Sequence, residues 1–219
     1  MLKSSDDAGM KIIALMNEKG GTGKSTAGTN LATALHRRGF RVVLVDADPQ
    51  GTARDWRAAS PEDVDLPTVI ALDRPQMLTA ITTLAADYVI VDTPAKAESM
   101  AAAVVRVAHV ALVVIQPSGA DIWASAATVK LIRSKLDVGG QIDAAFLVNR
   151  VKAGTKLAGL VKGGEWNEYG LDQLTSTLGD RTAYAQALTD GVSVYDLPNL
   201  DARADVDAVL AELEAARWL

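Results

Sequence analysis

The octapeptide Lys19-Gly20-Gly21-Thr22-Gly23-Lys24-Ser25-Thr26 constrains this chain more than any other stretch. The apolar run Met10–Met16 precedes it, and Lys24–Arg38 follows with Ala27, Leu31 and Leu35 spaced by four. The run reads as a strand covered on both faces, and the spacing as an amphipathic helix that Gly39 ends. Between them, glycines let the backbone turn tightly and aim its N–H groups at phosphate oxygens. A helix beginning near Lys24 adds the positive end of its dipole. Lys24 would reach β- and γ-phosphates, and the Ser25 hydroxyl would ligate Mg²⁺. Glycines alone would suit any βα turn; the Gly-Lys-Ser triplet in a strand–turn–helix setting points to phosphate.

The rest of the chain repeats the alternation. Arg41–Asp46, Thr68–Leu72, Tyr88–Asp92, Val110–Gln116, Ala144–Asn149 and Leu171–Leu178 read as further strands. Helical patterns fill 75–85, 97–107, 121–136, 181–189 and 202–217. Strands separated by helices of this length predict an α/β fold: a single-domain P-loop NTPase with a mostly parallel twisted sheet and helices on both faces. With 219 residues, 49% of them hydrophobic and only 5% aromatic, the core of that one domain, 10–219, must be built from Ala, Val, Leu and Ile. Residues 1–9 carry two acids and no apolar core, so they read as a disordered extension rather than a signal peptide. No run approaches the length of a spanning helix, which predicts a cytoplasmic protein. The absence of cysteine excludes a disulfide scaffold and a thiolate metal site, and a formal charge of −5 excludes a constitutive polycation.

Two strand ends carry acids. VVLVDADPQG, residues 42–51, places Asp46 and Asp48 before Pro49, at the carboxyl edge of the sheet where ligands bind. A lone Asp there could cap the next helix; two alternating ones would share a strand face. YVIVDTPA, residues 88–95, ends an apolar strand in Asp92, a carboxylate suited to Mg²⁺. Thr93 and Pro94 would open a segment that senses the γ-phosphate.

The phosphate loop departs from the ordinary pattern: Glu18 stands where glycine is usual, and Lys19 precedes the two glycines. This KGGxGK[ST] form resembles the deviant phosphate loop of the ParA/MinD ATPases. That resemblance implies that Lys19 is a signature lysine crossing a homodimer interface to the partner's nucleotide. It implies ATP and Mg²⁺ as cofactors, Asp48 as the residue orienting the attacking water, and Asp46 as its support near the metal. Gln116-Pro117-Ser118 with Asp121, Asn149-Arg150, and RTAYAQALTDGVSV at 181–194 extend the likeness over about Met10 to Val194. Asn149 would read the adenine edge and Arg150 stack on its face. The short length, DxDPQG and Trp56 look like small plasmid-partition ParA proteins; nine residues before the first strand are too few for a helix-turn-helix.

Within that family, members divide by the surface the ATP-bound dimer uses. Asp201–Leu219 has more acids than bases, unlike the basic amphipathic tail that binds membranes. Arg150, Lys152, Lys156 and Lys162 fall in a stretch without acids, and Lys130, Arg133 and Lys135 lie on a helix before it. Lys152, Lys156, Lys162 and Arg181 are therefore expected to contact nonspecific double-stranded DNA, placing the ATP-bound state on the nucleoid. The resulting expectation is a weak, partner-stimulated ATPase that segregates plasmid or chromosomal DNA with a centromere-binding, ParB-like adaptor. A positioning ATPase for a protein cargo, such as a carboxysome or chemoreceptor array, is the alternative within the family. A metabolic P-loop enzyme is the alternative outside it, and Lys19 with DxDPQ argues against that.

Overall fold

Short runs of Val, Ile, Leu and Ala that are apolar throughout, bounded by turn residues, suit strands covered on both faces. The computed structural model, which describes residues 9–152, 154–155 and 170–219, places them at the centre of the molecule. Strand β1 (Lys11–Met16) leads into helix α1 (Lys24–Arg37), then β2 (Val42–Asp46) and α2 (Thr52–Ala58). There follow β3 (Thr68–Ala71), a 3₁₀ helix (Pro75–Thr83), β4 (Tyr88–Asp92), α3 (Glu98–Val107) and β5 (Val110–Ile115). The chain continues through α4 (Gly119–Asp137), β6 (Asp143–Val148), β7 (Asp172–Gln173), α5 (Thr182–Thr189) and α6 (Leu200–Ala215).

Every described strand pair is parallel, in the order β3-β2-β4-β1-β5-β6-β7. The carboxyl ends of β1, β2 and β4 therefore lie side by side: Asp46 is in register with Asp92, and Leu15 with Asp92. This is the edge at which an open α/β sheet binds ligands. Two cores flank the sheet. One gathers α1, α5 and α6 over Leu15, Leu44 and Ile90; the other gathers α3 and α4 over Met16, Val91 and Val113.

Several expectations meet corrections. The strand expected at Leu171–Leu178 shrinks to Asp172–Gln173; Leu171, Leu174 and Leu178 are buried, so their apolar pattern reports packing of an irregular segment. The pattern at 75–85 forms a 3₁₀ helix rather than an α-helix, and α2 had no clear period of its own. Trp56 on α2 is a core residue whose Nε1 donates to the Val192 carbonyl at 2.7 Å. As expected, the last helix packs inward, with Val206, Val209, Leu210 and Leu213 buried. No helix among the described residues is long and apolar enough to cross a membrane. The expected extension falls, except for Gly9, outside the described residues.

Candidate nucleotide site

The turn between β1 and α1 is pinned from three directions. Asn17, ending the strand, donates its side-chain amide to the Val114 carbonyl at 2.8 Å and accepts from Lys19 N–H at 2.9 Å. Gln116 Nε2 donates to the Gly21 carbonyl at 2.8 Å, and Asn149 Nδ2 to the Thr22 carbonyl at 2.8 Å. With its carbonyls held outward, the loop leaves the N–H groups of Gly20, Gly21, Thr22 and Gly23 without a protein acceptor among the described residues. The first turn of α1 adds its own unpaired donors. Gly23 is obligatory: it sits at φ +97°, and a Cβ there would lie 1.9 Å from Asn149 Nδ2.

Gly20, Gly21 and Gly23 line a cavity of about 240 Å³ together with Lys24, Ser25 and Thr26. Asp48, Thr52, Thr93, Ala95, Arg150 and Leu188 complete its lining. Lys24 is buried, its Nζ 3.2 Å from the Lys19 carbonyl. Burial lowers its pKa, while Asp92 and Asp48 work in the opposite direction. Lys19 reaches sideways instead: its Nζ bonds Asp121 Oδ1 on the first turn of α4. Asp121 is itself held by the Ser118 hydroxyl and the Gln116 N–H. Burial acts to raise the Asp121 carboxyl, but these donors outweigh it and hold it below its ordinary range.

The two acids of β2 divide their work. The strand stops at Asp46, so Asp46 and Asp48 do not share a strand face as their alternation suggested. Asp46 is fully buried and accepts from Asp48 N–H at 3.0 Å, Arg54 N–H at 3.0 Å and Arg54 Nε at 3.3 Å. Its oxygens are met by protein donors, so it fixes the turn. Asp48 is the member of the pair that lines the cavity.

Asp92 differs from both. It is 1% exposed, and neither carboxylate oxygen has a hydrogen-bond partner among the described residues; the buried Thr22 hydroxyl is likewise unpartnered. Burial pushes the Asp92 carboxyl up to about 7; the Ser25 hydroxyl opposes this and Asp46 adds to it. A buried unpartnered carboxylate is costly, and a hard divalent cation at the phosphates is what would relieve it. The unfolded chain releases this proton near 3.8 and the folded chain near 7, so stability falls as pH rises through that window. Asp92→Asn should therefore raise the melting temperature of the nucleotide-free protein at pH 8 by several degrees, the gap closing toward pH 4. Calorimetry across that range checks it; an Asn variant that melts below the parent at pH 8 would contradict the assignment.

Beyond Thr26 a second cavity, of about 370 Å³, continues from the first through Thr26, Arg150 and Leu188 to Asp180, Arg181 and Tyr184. Asn149 is buried and committed to Thr22 and to the Arg150 N–H, so it shapes the phosphate loop; exposed Arg150, at φ +56°, faces both cavities. Of the expected DNA contacts, Arg181 is engaged within the chain: its guanidinium pairs with Asp205 at 2.7 Å and Asp201 at 3.2 Å. Lys152 lies 3.5 Å from Asp180 but is largely exposed. Lys156 and Lys162 lie outside the described residues. Lys135 caps α3 by donating to the Val105, Arg106 and Ala108 carbonyls, leaving Lys130 and Arg133 as the exposed cations of α4. Asn17 and Arg54, absent from the sequence reading, have no signal there beyond their positions beside the motifs.

Residues 13–194 match a family profile described as the CobQ/CobB/MinD/ParA nucleotide binding domain. The carboxysome distribution protein A of Halothiobacillus neapolitanus is 30% identical over 190 residues, covering 84% of this chain and 87% of its own. That of Gloeobacter kilaueensis is 31% identical over 218 residues, covering 93% and 94%. The chromosome partitioning protein ParA of Caulobacter vibrioides is 55% identical, but over 42 residues, 19% of this chain and 16% of its own. Among solved structures, a Cyanothece McdA–ATP complex superposes with a TM-score of 0.73 at 19% identity, covering 94% of this chain and 97% of that one.

Proposed function

Because the chain belongs to the CobQ/CobB/MinD/ParA nucleotide-binding family, we propose that it is an ATP- and Mg²⁺-dependent positioning ATPase that distributes a protein assembly over nonspecific DNA. One observation carries the enzymatic part: unpartnered loop N–H groups and the buried Lys24 converge in one cavity backed by an acid without a partner. That arrangement suits a polyphosphate with its cation and no neutral ligand. The loop N–H groups and Lys24 bind the phosphates, and Ser25 and Asp92 are the residues that would hold Mg²⁺. Bound there, the cation would neutralise the phosphate charge that builds during transfer. Asp48 accepts a hydrogen bond from the attacking water and orients it. Arg150 covers the base in the second cavity.

Lys19 supplies the switch. Asp121 holds it within its own chain; a triphosphate in a second copy offers it a stronger anion across the dimer interface. Dimerisation then follows nucleotide state because the triphosphate is a contact the diphosphate cannot make. Paired Lys130, Arg133 and Lys152 side chains would give salt-sensitive DNA binding, and a small adaptor protein would link the dimer to its cargo.

The cargo reading moves from plasmid to protein assembly for a specific reason. Likeness to carboxysome distribution proteins spans nearly the whole of both chains, whereas that to a chromosome-partition ParA is confined to 42 residues. Deleting the chain in its host should scatter or clump a protein assembly while a resident plasmid is inherited normally. Plasmid loss with every protein assembly still evenly placed would reverse the choice. In vitro, the protein should sediment with DNA in the presence of ATP but not ADP, less so at raised salt, and Lys130→Glu with Arg133→Glu should weaken this while sparing ATPase activity.

A further inference from the structure

Three non-glycine residues among those described sit at positive φ: Lys96 at +53°, Arg150 at +56° and Arg217 at +62°. Arg217 ends the last helix; Arg150 lines the nucleotide cavity, and Lys96, not itself a lining residue, directly follows Ala95, which is. Lys96 belongs to the segment after Asp92, which is stitched to the phosphate strand and loop. The Thr93 hydroxyl donates to the Leu15 carbonyl at 2.7 Å, and Lys96 N–H to the Glu18 carbonyl at 3.1 Å. A Cβ on Gly20 would lie 3.8 Å from that of Ala95, so the two loops run within touching distance.

A left-handed backbone is free for glycine and costly for a side chain with a Cβ. If Lys96 served only to make its backbone bond, glycine would do so without strain. The side chain must repay that cost elsewhere, and strained residues gather where function requires them. Lys96 is exposed and forms no ion pair among the described residues, while Lys19 is paired with Asp121 and Arg54 with Asp46. The cavity has a direction. Thr26, Arg150 and Leu188 border the base-sized cavity; Gly20 and Ala95 do not. A nucleotide with its base beside Arg150 therefore points its terminal phosphate toward Gly20 and Ala95, the residue that precedes Lys96.

We propose that Lys96 is a further phosphate-binding residue, an ammonium that engages the terminal phosphate of a nucleoside triphosphate and so separates it from the diphosphate. This rests on the nucleotide reading of the cavity. Isothermal titration with a non-hydrolysable ATP analogue and with ADP, each with Mg²⁺, tests it on the full chain. Lys96→Ala should weaken the analogue about tenfold and leave ADP unchanged, as expected for one charge-assisted hydrogen bond. Lys96→Arg should keep most of the selectivity. Lys96→Gly, which relieves the backbone without restoring charge, should match Lys96→Ala. An alanine variant with unchanged analogue affinity, equal losses for both nucleotides, or rescue by glycine would each overturn the proposal while the nucleotide reading stands. A parent protein that binds neither nucleotide would overturn both.

Discussion

Replacing Lys24 with alanine should abolish nucleotide binding, lowering ATP affinity at least about 100-fold. Lys24 is buried beneath the loop, its ammonium turned to the Lys19 carbonyl, and two carboxylates, Asp92 and Asp48, favour its charged form against the cost of burial. Charge-assisted hydrogen bonds contribute roughly 1.5–3 kcal/mol each, and a lysine bridging two phosphates loses more than one. The loop itself should survive, because Asn17, Gln116 and Asn149 hold it without Lys24. Thermal stability without nucleotide should therefore stay close to that of the parent, which separates a binding defect from misfolding. Equilibrium titration with a fluorescent ATP analogue measures the loss. Retained affinity would refute the phosphate-loop assignment.

Replacing Asp48 with alanine should have the opposite signature: nucleotide stays bound and turnover falls about 100-fold. Asp48 lines the cavity, and its position is set from below, since buried Asp46 accepts its N–H and fastens Arg54 across the same turn. Losing a group that positions a nucleophile typically costs 10²–10⁴ in rate. With hydrolysis blocked, the triphosphate state should accumulate and the protein remain dimeric long after the parent has returned to monomer. Single-turnover hydrolysis alongside nucleotide retention on a filter reads both effects. Normal turnover would remove Asp48 from catalysis.

What could be read from the sequence was what is covalently local. The phosphate loop, Asp92 and the five long strands are short stretches whose residue types suffice, because parallel strands are apolar at every position. The 3₁₀ helix escaped because Thr79, Thr82 and Thr83 hydroxyls bond carbonyls three residues back, a preference that helical spacing alone does not reveal. Contacts across the chain escaped for a different reason. The Lys19–Asp121 pair spans 102 residues, and nothing near Lys19 announces its partner. Arg181 gives no local sign of Asp201 and Asp205, which α6 brings against it. Nothing beside Asp46 announces Arg54, which α2 returns to it. In each case the residue type was legible and its partner depended on the tertiary fold.

ATP-dependent positioning requires two copies of the chain to clasp triphosphate between them. Light scattering during size-exclusion chromatography, with a non-hydrolysable ATP analogue and Mg²⁺ at saturation, tests this most directly. The expected mass is twice the 23.0 kDa of one chain with the analogue, one chain with ADP, and one chain for Lys19→Ala in either case. A parent protein that stays at the mass of one chain while the analogue fills its site would contradict it.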